Sequence, residues 1–190
     1  MSDKINVLGI VHAHLQTLRH HGRDELSAID ITIFVIYPLI LAVIVFMVGD
    51  SLGENLVNAM INAAAILLGL LLNLLVLMFD QRNRALESLQ KLKPVEQGGS
   101  GMQDPEGVRG KLTLRVEVIK QTVANISFTV LLCIISLASL LVYSMRKASS
   151  GPADYFESAI YALNAFIWIS VFLIILMVVK RVFALFVQTA

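Results

Sequence analysis

The apolar positions of this chain gather into four long runs, 31–48, 56–79, 126–143 and 159–179, and none of them contains Lys, Arg, Asp or Glu. Each has the length of a membrane span, roughly 18 to 25 residues. Helices are the elements expected, because hydrocarbon offers backbone N–H and C=O groups no outside partner. The second run is not uniform. Asn58, Asn62, Ala65, Gly69 and Asn73 interrupt it, with Asn55 before them and Asp80 after. At about 100° per residue these positions share one narrow sector, and the steps return to it every 11 residues. The opposite side is almost entirely Leu, Ile, Val and Met. An amide at membrane depth has to face protein or water. Three readings stay open for this face: the lining of a pore or hydrated cavity, a packing seam in which Ala65 and Gly69 allow close approach, and a docking face for a partner helix. The pore-lining candidates are Asn55, Asn58, Asn62, Gly69, Asn73 and Asp80.

The third run carries a softer pattern. Thr122, Asn125, Thr129, Ser136 and Tyr143 fall near one face, with Ser139 at its margin. Hydroxyls can bond their own backbone carbonyls, so this reads as a packing face. In the first run Pro38 removes a backbone donor, which frees the Phe34 carbonyl and bends the helix.

Outside the runs, Ile5, Leu8, Val11, Leu15 and Leu18 mark an amphipathic helix over residues 4–22. The second helix is expected to continue through Arg84, Leu86, Leu89 and Leu92 and to stop near Pro94. The glycines at 98–101 and the stretch Asp104-Pro105-Glu106-Gly107 predict a flexible loop, followed by a helix leading into the third run. Ser51-Leu52-Gly53-Glu54 has the form of a capping box, and Asp154 with Glu157 offers a similar acidic cap.

The expectation is an all-α integral membrane protein with four transmembrane helices in two parallel-repeat hairpins, plus cytoplasmic helices. It divides into a cytoplasmic amphipathic helix (1–29), a first hairpin (30–79), a cytoplasmic helical segment with a flexible loop (80–124), and a second hairpin with the C-terminal tail (125–190). Residues 59–80 align with 159–180 without a gap, although leucine-rich spans resemble one another cheaply.

Composition agrees with a membrane class: 57% of the 190 residues are hydrophobic and 15% charged. All Lys and Arg except Arg146 and Lys147 lie on one side of the spans, which predicts cytoplasmic termini and a cytoplasmic central segment. The N-terminus does not read as a signal peptide, because His12, His14, Arg19, His20, His21 and Arg23 break any apolar stretch there. Cys133, alone of its kind, reads as a small packing residue. A net charge of +1 gives no general attraction to nucleic acid, and no direct contact with it is expected.

His12 and His14 do not share a helix face, and no cysteine or acid completes a ligand set at i+4, so no metal site is expected; a solvated interfacial face is the simpler reading. Asp50, Glu54, Asp154 and Glu157 form an acidic outer mouth that would favour cations if repeated by symmetry, or act as helix caps. Arg82, Arg84 and Lys91 are candidates for docking a cytosolic partner. No catalytic constellation and no cofactor ligand set appears, and no span carries the ionisable residue that coupled transport uses.

A single four-helix bundle has a packed centre. The function expected is therefore a homo-oligomeric pore or effector, for instance a tetramer, that conducts ions when a cytosolic partner releases it. The alternative is a non-conducting membrane anchor or sensor scaffold that recruits a cytosolic partner handling DNA or nucleotides. With its hairpins at 30–79 and 125–179, cytoplasmic N-terminal helix and charged inner segment, the chain resembles the small four-span membrane subunits of prokaryotic antiphage defence systems, the Hailong-type membrane effector and the membrane component of Kiwa. The first resemblance implies a gated ion-conducting multimer in the bacterial inner membrane. The second implies a membrane sensor coupled to a DNA-binding partner. The likeness is architectural and transfers no binding residue.

Overall fold

The computed structural model describes residues 7–17, 32–48, 53–91, 105–147 and 155–187, and every one of these except Gly53 is helical. The elements are α1 (Val7–Thr17), a π-helical turn (Thr32–Ile36) running into α2 (Tyr37–Val48), α3 (Glu54–Lys91), α4 (Pro105–Lys147) and α5 (Tyr155–Val187). Three of them, α3, α4 and α5, are long and apolar enough to cross a membrane, while Thr32–Val48 is a shorter apolar helix. At 38 residues, α3 is about 57 Å long. That is nearly twice a hydrocarbon core of about 30 Å, so its charged end from Asp80 to Lys91 extends well past the apolar stretch.

Local chemistry explains the boundaries. Pro38 lies in the first turn of α2, and the chain absorbs its missing donor and ring by widening the preceding turn to π geometry, the kind of adjustment that lets proline persist in apolar helices. The start of α3 differs from the predicted capping box. The Gly53 carbonyl accepts from Leu56 N and Val57 N, both at 3.0 Å, so the helix opens at Glu54. Glu54 therefore occupies the first turn itself, and Ser51 lies outside the described residues. The expected loop through Glu106 and Gly107 is also displaced. Pro105 opens α4, a position where its fixed φ suits the helix and its missing N–H is not needed.

The packing has a centre and two flanks. α4 and α5 lie together in the middle, α2 rests on α5, α3 rests on α4, and α1 packs on α4. Although consecutive in the chain, α2 and α3 do not touch among the described residues. The first pair is thus spread over the second rather than packed as a hairpin of its own. Along the alignment of 59–80 with 159–180, Ala64 and Asn164, Leu71 and Val171, Met78 and Val178 are buried at matched positions, whereas Ile160, Ile167, Ser170 and Ile174 of α5 match α3 positions that are half-buried or exposed.

The α3–α4 seam is regular. Val57, Ala64, Leu71, Met78 and Ala85 are the buried residues of α3, one every seven positions. A seven-residue repeat keeps a seam facing its partner only with left-handed supercoiling. In lipid such a seam is held by close packing rather than by escape from water, which suits small Ala64, fully buried within it. Only 11% of the apolar window of α3 is buried, against 39% for α4 and 33% for α5, so α3 is the peripheral span.

Candidate functional site

The asparagine stripe does not lie in the α3–α4 seam. Asn55, Asn58, Asn62, Gly69, Asn73 and Asp80 are all exposed on the outward side of α3. The space beside Gly69 is open, with nothing within 4 Å of where a side-chain carbon would stand. Its small size therefore serves no contact among the described residues. Beyond the apolar stretch Asp80 pairs with Arg84 at 2.9 Å, one turn apart and both solvent-facing, a pair that contributes at most about 1 kcal/mol.

The other predicted groups separate. Glu54 is exposed and Glu157 half-buried at the starts of α3 and α5, whereas Asp50 and Asp154 lie outside the described residues. Arg82, Arg84 and Lys91 are exposed along the charged extension of α3. Arg146 places its guanidinium over the Phe156 ring, 4.4 Å from the centroid, where cation–π attraction joins the ends of α4 and α5.

The polar face of α4 behaves as a packing face. Thr122, Asn125, Thr129, Ser136 and Tyr143 are all buried. The Thr122 and Thr129 hydroxyls donate to the Val118 and Asn125 carbonyls, each at 2.8 Å. Deeper in the span, the Ser136 hydroxyl donates to Asn164 Oδ1 at 2.7 Å. The Asn164 amide then donates to Ser139 Oγ and to the Ile160 carbonyl, both at 3.0 Å. Every polar group of this cluster has a partner, which is what allows it in a low-dielectric interior.

A second polar cluster was not legible as such. His14 belongs to the buried face of α1, and its Nδ1 lies 2.8 Å from Asn125 Oδ1. The amide oxygen can only accept, so Nδ1–H donates and Nε2 carries the lone pair. The imidazole stacks on Phe128 with centroids 4.2 Å apart and planes 12° from parallel. The Thr17 hydroxyl sits 2.7 Å from the His14 carbonyl and 2.8 Å from Asn125 Oδ1. Arg181 Nη2 of α5 donates to the Thr17 carbonyl at 3.2 Å. Burial holds the His14 pKa below the ordinary histidine value; the bond to Asn125 opposes this and the nearby Arg181 charge adds to it.

This arrangement corrects two expectations. His14 is buried rather than solvated, although His12 is exposed and pairs with Gln16 at 2.9 Å. The docked face of α1 is not the Leu8–Val11–Leu15 stripe, for Leu8 is exposed, Val11 only half-buried, and Leu15 borders the cavity beside His14 while staying largely exposed. Two satisfied hydrogen bonds and a ring stack hold α1 where apolar periodicity alone did not. His20 and His21 lie outside the described residues. Between α1, the π turn, α4 and α5 lies a cavity of about 90 Å³ bordered by His14, Phe34, Phe128, Phe166, Ser170 and Ile174. Among the described residues no group of three or more His, Cys, Asp or Glu could hold a metal ion.

No family model matches this sequence, and no curated protein or solved structure matches it.

Proposed function

We propose that this chain is the subunit of a homo-oligomeric membrane pore of the bacterial inner membrane. All four apolar helices cross, both termini face the cytosol, and the outward face of α3 turns toward the symmetry axis. Asn58, Asn62, Gly69 and Asn73 line a polar path there, and a cytosolic partner controls its opening from the inner side. The observation that carries this reading is the exposed stripe of amides at membrane depth beside an unoccupied glycine. Lipid satisfies neither donor nor acceptor, so the stripe requires further copies or water, and cyclic symmetry supplies both. A role in antiphage defence is proposed from the resemblance of architecture, and protection of cells by the intact operon tests it.

The deciding experiment is ion flux into liposomes. Replacing Asn62 and Asn73 together by Leu abolishes flux while cross-linking shows the oligomer intact. Unchanged flux removes these residues from the path. Loss of the oligomer together with flux makes the stripe a subunit seam instead.

One observation favours the second reading, an anchor that conducts nothing. The end of α3 runs beyond its apolar stretch with Arg82, Arg84 and Lys91 exposed. If this is the main working surface, neutralising the three abolishes recovery of a cytosolic partner with the protein, and overexpression leaves the membrane potential unchanged.

A further inference from the structure

We infer that α1 is a proton-released latch, docked on α4 and α5 through His14 when the imidazole is neutral and freed when it takes a proton. The inference goes beyond the proposed pore and stands without it.

The geometry around the ring favours the neutral imidazole. Nδ1–H is committed to Asn125 Oδ1, so an added proton must go to Nε2. What surrounds His14 offers that new donor little. From α4 come Asn125, Phe128 and Leu132, from the π turn Phe34 and Val35, and from α5 Phe166, Ile174, the cation Arg181 and Ser170, a neutral hydroxyl that brings no charge to offset the proton. No carboxylate faces the ring among these, and the acid on the same part of α4, Glu117, is 3.9 Å from Lys120. A protonated ring would thus be a buried cation beside a second cation with no carboxylate among these neighbours, and its stack on Phe128 offsets only part of that cost. Undocking places it in water or among lipid headgroups.

The direction follows from linkage. Because burial lowers the His14 value in the docked state, that state binds fewer protons than the free one. Docking is complete above the free histidine value, about 6.5, and weakens as pH falls below it. At pH 5.0 a free imidazole is protonated by about thirtyfold over its neutral form, which sets the largest loss of docking expected there.

The test is hydrogen exchange of the full-length protein in lipid nanodiscs, with protection of the amides of residues 7–17 corrected for intrinsic rates. Wild type loses protection in α1 between pH 7.5 and pH 5.0, by up to about thirtyfold, while α4 and α5 keep theirs. His14→Gln removes this pH dependence. Asn125→Asp, which gives the imidazolium a counter-charge, keeps α1 protected at pH 5.0, so the idea survives a His14→Gln protein that fails to dock. The exposed control His12→Gln follows wild type. Protection independent of pH in wild type overturns the latch. So does an Asn125→Asp protein that loses protection as wild type does, or loss of the dependence in His12→Gln.

Discussion

Ser136 on α4 and Asn164 on α5 share a hydrogen bond of 2.7 Å in the buried middle of the two central helices. Asn164 also holds Ser139 and its own backbone, so one amide registers α4 against α5. Replacing Asn164 by Leu leaves two serines that can turn to their own carbonyls, which limits the loss. The expected cost is about 1–2 kcal/mol. Unfolding in mixed detergent micelles, followed by Trp168 fluorescence, measures it.

The α3–α4 seam buries Ala64 completely. Ala64→Leu should prise α3 away and destabilise by about 1–3 kcal/mol, whereas Ile66→Leu on the outward face should be neutral. The same micelle unfolding distinguishes them, and equal effects would place the seam elsewhere.

The outward stripe makes a prediction about neighbours. In a Cys133→Ala background, Asn62→Cys and Asn73→Cys should form disulfide-linked dimers on oxidation in membranes, because symmetry brings identical faces together. Ala64→Cys, buried against α4, should not. Absence of dimers from both stripe positions would separate α3 from the axis.

Crossing by α3 is tested by chemistry at its two ends. In intact cells a cysteine at Glu54 should react with an impermeant maleimide from outside, and one at Lys91 only after permeabilisation. Reaction of both on one side would leave α3 as a helix that does not cross.

Phe128 supports α1 from below by stacking on His14. Phe128→Ala should enlarge the adjoining cavity and lower protection of the α1 amides at pH 7.5, several-fold or more, without lowering it in α5. Hydrogen exchange reads this directly.

Much of this protein could be read along the chain because the relevant physics is local. A run of apolar residues must be helical in lipid whatever its neighbours, so α3, α4 and α5 were legible, as was the burial of Thr122, Asn125, Thr129 and Ser136 on one face. The helical period likewise put Asn58, Asn62, Gly69 and Asn73 together. Period alone does not say which face a neighbour takes. Tertiary packing decided that α3 lies on α4 through Val57, Ala64, Leu71 and Met78, so the amides face outward. It decided, too, that α2 and α3 do not pair, since each finds its surface on the central helices. The partnership of His14 with Asn125 was beyond any local reading: 111 positions separate them, and neither residue type specifies the other. Only when α1 lies against the middle of α4, near Arg181 of α5, does a histidine that looked solvated lose its water and gain an amide.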